Sequence, residues 1–357
     1  MSASHSASEI GLLNAIIYMS LILAAMSLCV IFFLFLKRRA QEKKWSRKTR
    51  RREFLDRTLR GVLAAPMEPS AASVPELLKG DEDIVLDMAV DMLRVIRGKD
   101  VARIIALLDI WNIREYLRAT LMRGGRGRRI RIVTLLAHCQ DSESLDLLLE
   151  QTATEDPYVQ LAALRGVADR KAVDHLSRIV GHLPYSRQRN TLMLADILQR
   201  FGEPAVPVLN KLALEPGMPQ VRLAAIHSLG AIGSIDAVDA LLKLASDTDA
   251  ELRAQTLAAL GRIGDMRAQR HILRGLEDPV DEVRAQSAWA AGLMNLREAM
   301  PVLLARLGDS HWWTRYRAAE ALFQMGPPGV AMLHAATRTQ GSGGEMAVQY
   351  LAEKAAA

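Results

Sequence analysis

The chain has 357 residues, half of them hydrophobic, and a formal net charge of +6. Its basicity is concentrated in one segment. Between Lys37 and Arg60 there are twelve Lys or Arg and three acidic residues, whereas from Gly61 onwards 34 basic residues face 36 acidic ones. This distribution argues against a nucleic-acid-binding body. The two cysteines, Cys29 and Cys139, exclude a disulfide framework and suit a reducing compartment.

The first predicted element is a transmembrane helix over residues 10–36, preceded by a short extracytoplasmic segment, residues 1–9. The 27 residues from Ile10 to Leu36 carry no charge, and about 20 apolar helical residues are enough to cross a hydrocarbon core. A cleaved signal peptide is the alternative, but it requires a positive start and a shorter apolar stretch. Residues 1–9 contain no Lys or Arg, so the pattern favours a retained single-pass anchor.

The basic segment, residues 37–60, predicts the orientation of this anchor. Cations close to the end of a membrane span are retained on the cytoplasmic side. Because only the C-terminal flank carries them, the N-terminus is expected outside and the rest of the chain in the cytoplasm, at the plasma (inner) membrane. The same cations are expected to contact anionic lipid headgroups. They are Lys37, Arg38, Arg39, Lys43, Lys44, Arg47, Lys48, Arg50, Arg51 and Arg52.

Residues 61–80 are a predicted linker, since three prolines lie among small residues there. Beyond it the apolar spacing predicts helices throughout, although residues 81 to about 122 keep no clear register. At the end of the chain, residues 341–357 predict a glycine-rich flexible joint and a final capping helix. Met346, Tyr350 and Leu351 are expected to cover the core of the last structural unit.

A repeat of 31 residues organises the body, most clearly over residues 216–335. Four segments align: VRLAAIHSLGAIG from Val221, LRAQTLAALGRIG from Leu252, VRAQSAWAAGLMN from Val283 and TRYRAAEALFQMG from Thr314. Each unit predicts two helices that cannot bury their apolar stripes alone, so the units must stack. Three columns share the 31-residue step: Arg222, Arg253, Arg284 and Arg315; Asp247, Asp278 and Asp309; Gly230, Gly261 and Gly292.

These columns resemble the HEAT-like repeats, especially the short variety named after phycobilisome lyases. The pattern D-x-x-x-x-[VL]-R-x-x-[AST] with a following Leu-Gly is clear in three units and extends loosely over about residues 125–335. The resemblance implies an all-α fold, a right-handed α-solenoid of helix pairs over residues 81–340. It also implies a polar ladder between successive repeats, with Asp278 and Arg284 as one pair, Asp309 and Arg315 as another, and Asp247 and Arg253 in the same columns.

No motif for catalysis, a cofactor or a metal occurs in the sequence, so no such site is predicted. His175 and His182 share a helical face but lack a Cys or a carboxylate cluster, which disfavours a metal site. Neighbouring His138 and Cys139 point apart on a helix, which favours a buried cysteine over a nucleophile with its base. The Gly- and Arg-rich segment 123–131 leaves two interpretations open: an exposed loop between repeats, or a site for RNA, a nucleotide or headgroups.

One face of each Arg-bearing helix varies while the core positions stay fixed, and this face is expected to line the concave surface of the solenoid. Trp289, Trp313 and Tyr316 there have the composition of an aromatic anchor within a polar rim. The alternative is that these rings fill gaps beneath the last turns. The predicted partner-binding residues are His227, Gln255, Glu282, Gln286, Trp289, Trp313, Tyr316, Arg317 and Glu320.

The expected function is a non-enzymatic, membrane-anchored cytoplasmic scaffold that binds another protein through this face. Tethering raises local concentration, so the preferred partner class is a membrane enzyme complex, for instance a glycosyltransferase or an envelope polysaccharide machine. Two alternatives stay open. One is an enzyme of the bilin-lyase or isomerase type, which the repeat family suggests, and the other is a nucleic-acid binder at the membrane.

Overall fold

The computed structural model describes residues 26–28, 30–35, 37–39, 49–64, 74–182 and 191–356. The regular structure in these ranges is helical, without strands, and the chain divides into two compact units between Leu117 and Arg118. The helices are α1 (residues 49–64), α2 (Glu82–Leu93), α3 (Lys99–Ile110), α4 (Ile113–Thr120), α5 (Arg126–Leu136), α6 (Ser142–Gln151), α7 (Pro157–Asp169), α8 (Leu176–His182), α9 (Thr191–Arg200), α10 (Val206–Leu214), α11 (Pro219–Ile232), α12 (Val238–Leu244), α13 (Ala250–Ile263), α14 (Gln269–Gly275), α15 (Asp281–Leu293), α16 (Met300–Arg306), α17 (Trp312–Gln324), α18 (Pro327–Ala336) and α19 (Ser342–Ala356).

The membrane anchor expected at the N-terminus is not supported by the described residues. In the part of the chain that the structure describes, no helix has the length and apolar character needed to cross a membrane. Within the expected span, residues 10–36, only 26–28 and 30–35 are described; the remainder of that prediction lies outside the described residues. The predicted localisation, a single-pass protein of the inner membrane, is wrong on this finding.

In the first unit, α1 buries one stripe formed by Leu55, Leu59 and Val62, which recur at the three- to four-residue spacing of a helix face. The helix continues to residue 64, so the predicted linker begins inside a helix. Residues 74–80 contain no helix, but the Trp111 indole donates a hydrogen bond of 2.9 Å to the Pro75 carbonyl. This bond ties the end of the linker to the helical part of the unit.

Two of the cations predicted to bind headgroups are paired within this unit. The Arg51 guanidinium lies 2.7 Å from the largely buried Asp81 carboxylate, and Arg52 lies 3.4 Å from Asp91. Their charges are therefore compensated by the protein itself. Four other cations of that prediction lie outside the described residues, namely Lys43, Lys44, Arg47 and Lys48.

The second unit is a solenoid of helix pairs in two layers. The odd-numbered helices α9 to α17 pack directly against one another in chain order, and the even-numbered helices α10 to α18 form a second layer that packs against them. Sequence signals fix the helix ends. In α13, for example, the Asp249 carboxylate accepts the backbone N–H of Glu251 at 2.8 Å, and Gly264 ends the helix with a φ of 78°.

The glycine column explains how closely the odd-numbered helices approach. A Cβ on Gly230 would lie 2.8 Å from the Ala259 Cα, and a Cβ on Gly261 would lie 2.6 Å from the Ala290 Cβ. Real Cβ contacts are not that short, so each glycine is required by the alanine of the next helix. The glycine column therefore sets the distance between neighbouring odd-numbered helices. A larger side chain at these positions would have no room, because the interior is already close-packed.

The C-terminal residues depart from the expected flexible joint. Gly343 and Gly344 lie in the first turn of α19, and a Cβ on Gly344 would lie only 2.0 Å from the Thr339 carbonyl oxygen. These glycines therefore serve close packing at the start of α19. Met346 and Tyr350 are buried with 2% and 1% exposure, and Leu351 is half-buried.

Candidate functional site

The candidate site is the solvent-facing side of α11, α13, α15 and α17, called here the odd-helix surface. On these helices, Ala224 and Ala258 are buried in the layer. The predicted partner-binding residues are all at least partly exposed: His227, Gln255, Glu282, Gln286, Trp289, Trp313, Tyr316, Arg317 and Glu320. They therefore remain available as a surface.

Three rings form a continuous stack at the N-terminal end of α17. The Trp312 and Trp313 centroids are 5.5 Å apart, and Tyr316 lies 5.2 Å from Trp312 and 5.5 Å from Trp313. Offset stacks at this distance are favourable beyond their area burial. Tyr316 also meets the buried Tyr350 of α19 edge-on at 5.2 Å, whereas Trp312 is 43% exposed. The stack thus extends from the core of the cap to solvent.

Two guanidinium groups lie against the tryptophan rings. Arg262 of α13 is 5.1 Å from the centroid of Trp289 on α15, and Arg317 of α17 is 5.6 Å from the same ring. Arg317 also lies 4.9 Å from the centroid of Trp313. Each contact is within the range of a cation–π interaction. Arg262, Trp289, Arg317 and Trp313 therefore form an alternating row of cations and rings across three helices.

Hydrogen bonds orient the rim of this row. Arg317 donates to Glu320 at 2.6 Å, Gln286 donates to Glu282 at 2.8 Å, and the Tyr316 hydroxyl donates to Glu353 at 3.0 Å. Burial raises the pKa of Tyr316, and its bond to the Glu353 carboxylate raises this pKa further. The Tyr316 hydroxyl therefore acts as a donor.

At the other end of the row, Arg262 acts electrostatically on His227. Burial lowers the pKa of His227, and the charge of Arg262 lowers it further. The pKa of Arg262 is also lowered, by desolvation. The structure therefore connects His227 with Trp289 and Arg317 through Arg262, while Gln255 makes none of these contacts.

The sequence interpretation missed Arg262, Trp312 and Glu353. Arg262 lies one helical turn beyond the predicted column of α13, so following the stripe for one more turn would have included it. Trp312 directly precedes Trp313, and it lies outside the three- to four-residue spacing from Trp313 to Arg317 and Glu320 that defines the predicted face. Glu353 approaches from α19, and no periodic pattern links that helix to Tyr316.

The Arg–Asp ladder is present, but its pairing differs from the expected one. Arg253 binds the Asp278 carboxylate through Nε and Nη2, at 3.0 and 2.9 Å. Arg284 binds the Asp309 carboxylate through the same two nitrogens, each at 2.8 Å. Arg284 reaches Asp278 only at its backbone carbonyl, at 2.9 Å. Asp278 also accepts the N–H of Val280, which directs its carboxylate towards the preceding repeat. Each Arg thus pairs with the Asp 25 residues later.

The last arginine of the column, Arg315, keeps the bond to the backbone carbonyl of Asp309, at 2.9 Å. The expected side-chain pair between Arg315 and Asp309 does not form, because the Asp309 carboxylate is taken by Arg284 and also lies 3.3 Å from Arg306. Burial opposes the ionisation of Asp309, but these hydrogen bonds and one from the His311 N–H lower its pKa to about 2. The Arg–Asp pairs of the ladder therefore join successive repeats.

Comparison with protein families matches the family described as HEAT repeats at residues 186–261, 206–292 and 270–340. This part of the chain is built of HEAT repeats. The Arg–Asp pairs from Arg222 to Asp309 lie within them, and so do all the predicted partner-binding residues. The finer resemblance to the phycobilisome-lyase variety stays a prediction.

Several solved structures are similar to this chain at low identity. An engineered protein is 21% identical over 58% of this chain and 94% of its own, with a TM-score of 0.35. Human deoxyhypusine hydroxylase is 16% identical over 68% and 96%, with a TM-score of 0.32. Yeast importin-beta is 13% identical over 75% and 45%, with a TM-score of 0.45. Among curated proteins no match was found.

The arginines of segment 123–131 are largely engaged inside the second unit. Arg126 opens α5 and donates to Asp156 at 2.7 Å, and Arg128 donates to the Thr120 hydroxyl and carbonyl at 2.9 and 3.0 Å. The helix begins at Arg126, so most of the segment is not a loop. Neither a nucleotide site nor a headgroup site follows from these contacts.

The residues considered for chemistry are placed as follows. The Cys139 thiol is buried and lies 3.7 Å from the Leu135 carbonyl, as expected for a core cysteine. His175 is half-buried at the start of α8. Over the described ranges, no group of three or more His, Cys, Asp or Glu is arranged to hold a metal ion.

Proposed function

We propose that this chain is a non-catalytic scaffold that binds a partner protein on its odd-helix surface. Because the odd-numbered helices pack more closely than the even-numbered ones, we place this surface on the concave side of the repeat stack. HEAT-type stacks offer an extended surface of this kind, to which each repeat contributes one strip. The membrane complex expected from the sequence is not part of this proposal.

The observation that carries the proposal is the position of Trp289 between two guanidinium groups, with Trp313 beyond the second. Trp and Arg are enriched in the energetic centres of protein interfaces, where polar residues surround them. Here Glu282, Gln286 and Glu320 supply such a rim. Cation–π contacts and hydrogen bonds already hold these side chains in the absence of a partner, and such preorganisation lowers the entropic cost of association.

The alternative, that these rings only fill space, fits other aromatic residues better. Tyr350 is 1% exposed, as a packing residue should be. By contrast, Trp289 and Trp313 are half-buried, and Trp312 leaves 43% of its surface to solvent. Large rings that stay partly exposed are typical of residues that serve an interface.

The test is quantitative co-purification of the full-length protein with its partners, comparing matched variants. The double variant Trp289→Ala/Trp313→Ala removes two anchors, and we expect at least about 30-fold weaker partner recovery, since each hot-spot truncation costs about 2 kcal/mol or more. The control, Arg270→Ala/Leu304→Ala, changes exposed residues of α14 and α16 in the even-numbered layer. We expect it to recover partners as the unchanged protein does.

Because Trp289 and Trp313 are half-buried, the double variant requires a check that the fold is intact. Arg262→Ala serves this purpose, since Arg262 is exposed in spite of the contact of its guanidinium with the Trp289 ring and does not belong to the core. We expect it to weaken recovery with an unchanged unfolding temperature. Equal recovery by all variants of the odd-helix surface and by the control would discard the proposed surface.

A further inference from the structure

The arginine column has a position at its C-terminal end where the ladder is incomplete. Arg222 lies 3.1 Å from Asp247, Arg253 lies 2.9 Å from Asp278, and Arg284 lies 2.8 Å from Asp309. Each of these arginines thus binds a carboxylate supplied by the next repeat. Arg315 is the fourth member, and the residue 25 positions later is Gln340.

Arg253 and Arg284 use their guanidinium groups in the same way. In each, Nη1 donates to two backbone carbonyls of the preceding loop, at 2.9 and 3.1 Å for Arg253 and at 2.9 and 3.0 Å for Arg284. The remaining edge, Nε with Nη2, binds both oxygens of the Asp carboxylate. The backbone carbonyls therefore hold the group so that its outer edge faces a carboxylate.

Arg315 makes the bonds from Nη1 to the backbone carbonyls but lacks the carboxylate at its Nε. Its Nη1 donates to the carbonyls of Asp309 and Ser310 at 2.9 and 3.2 Å, as in the other two repeats. Its Nε is buried and has no acceptor within the described part of the chain. Leaving a buried donor without an acceptor is unfavourable. The position is thus oriented for a carboxylate that the described residues do not supply.

We propose that Arg315 is a carboxylate-binding position that takes an aspartate side chain from another polypeptide. The bidentate edge selects a carboxylate. A single ion pair of this kind is weak when it is partly exposed, so a free small anion would not occupy the position by itself. A polypeptide can add further contacts, and the exposed Trp312 ring lies one turn before Arg315 on α17.

The resident aspartates define the expected ligand more closely. Asp247, Asp278 and Asp309 each accept, at 2.9–3.0 Å, the backbone N–H two residues further along. The ligand should therefore be an aspartate in a turn of this type. The inference does not rest on the proposed function, because none of the hydrogen bonds of Arg315 involves the odd-helix surface.

The experiment follows the side-chain Nε–H signals of arginine by NMR in the full-length protein labelled with ¹⁵N-arginine, with Arg315→Lys identifying the Arg315 signal. The titrant is a capped peptide with the sequence of the resident loop, Glu277–Glu282, and its matched control has Asn in place of Asp278. We expect the Arg315 signal to shift saturably with the Asp peptide. The Asn peptide should bind at least about tenfold more weakly.

Two further measurements serve as controls: the Arg253 and Arg284 signals, and the Gln340→Asp variant. The signals of Arg253 and Arg284 should not move, since Asp278 and Asp309 already fill their sites. Gln340→Asp supplies a carboxylate in the same chain at an exposed position, so it should shift the Arg315 signal without peptide and abolish the titration. Equal effects of the Asp and Asn peptides would overturn the proposal. Saturation by sodium acetate at the concentration of the peptide would show a small-anion site and would also overturn it.

Discussion

The contacts among α11, α13, α15 and α17 differ from the contact between α17 and α19, although the same 31-residue register runs through both. In the first group, glycine meets the next helix at Gly230, Gly261 and Gly292. One period later the column holds Phe323, which packs against the Tyr350 ring at 5.8 Å. The Asp column ends at the same point, where Gln340 replaces the ladder carboxylate.

The difference shows how two columns set the geometry of the stack. Glycine lets backbone meet backbone, and the Arg–Asp pair fixes the register of neighbouring repeats. Where both stop, rings separate α17 from α19, and the stack of Trp312, Trp313 and Tyr316 grows outward from these rings. The loss of the glycine and Arg–Asp columns after α17 therefore accounts both for the end of the repeat pattern and for the aromatic residues at that end of the odd-helix surface.

The largest expected effect comes from breaking a ladder pair. Asp309→Ala leaves the largely buried Arg284 without its carboxylate, which we expect to lower the free energy of unfolding by about 3 kcal/mol, as for other buried pairs that lose one partner. Chemical denaturation at neutral pH measures this loss. Asp239→Ala is the control, because the Asp239 carboxylate is 80% exposed in its pair with Arg267 and should contribute far less than the Asp309 carboxylate.

The Asp309 contribution should depend on pH in a defined window. The folded-state pKa of Asp309 is about 2, whereas an unfolded aspartate titrates near about 3.9. The unfolded state therefore binds more protons between these values. The contribution should be complete above about pH 4 and lost as the pH falls towards 2. A difference between the unchanged protein and Asp309→Ala that stays constant over this window would contradict the assigned pair.

The second effect tests the glycine column. Gly261→Ala would place a Cβ 2.7 Å from the Ala290 Cα, and we expect a loss of about 2 kcal/mol, since backbone cannot yield as a flexible side chain does. Gly127→Ala is the control within α5, where the nearest atom is 3.8 Å away. That variant should be neutral or slightly stabilised, because alanine is the better helix former. Similar stability of the two variants would refute the role of close approach.

The third effect separates the cap from the repeats. Tyr350→Ala removes the ring that joins α19 to α17, and we expect amide hydrogen exchange in α19 to accelerate by roughly 100-fold while α11–α15 stay protected. Val348→Ala, at a 52% exposed position of the same helix, should leave exchange unchanged. Acceleration that spreads equally through α13 and α15 would show that the cap and the repeats form one cooperative unit.

The smallest effect concerns the end of the odd-helix surface. Arg262→Ala removes a charge that lowers the pKa of His227, so that pKa should rise towards its ordinary value in an NMR titration. Because a neutral His227 is favoured in the folded state, its contribution to stability is present above about pH 6.5 and is lost at lower pH. Arg267→Ala, outside this row, should not change the His227 titration.

The sequence predicted the period, the helix pairs and the residues of the ladder, because all of these follow from local patterns. The role of the odd-helix surface in binding stays a prediction. The sequence interpretation misassigned the ladder partners, since a 31-residue step does not say whether an Arg pairs with the Asp six residues before it or 25 after it. Arg262 was missed because its partner, Trp289, belongs to another helix. The expected membrane helix was inferred from hydropathy alone, and no described helix supports it.

Site-specific photo-crosslinking tests the central claim most directly. A benzoylphenylalanine at Gln286, beside Trp289 on the odd-helix surface, is compared with one at Arg270 of α14 in the even-numbered layer, both being accessible positions. The account predicts a discrete crosslinked protein from position 286 that disappears in the Trp289→Ala/Trp313→Ala background, and none from position 270. The same crosslinked protein from both positions, or only from position 270, would contradict it.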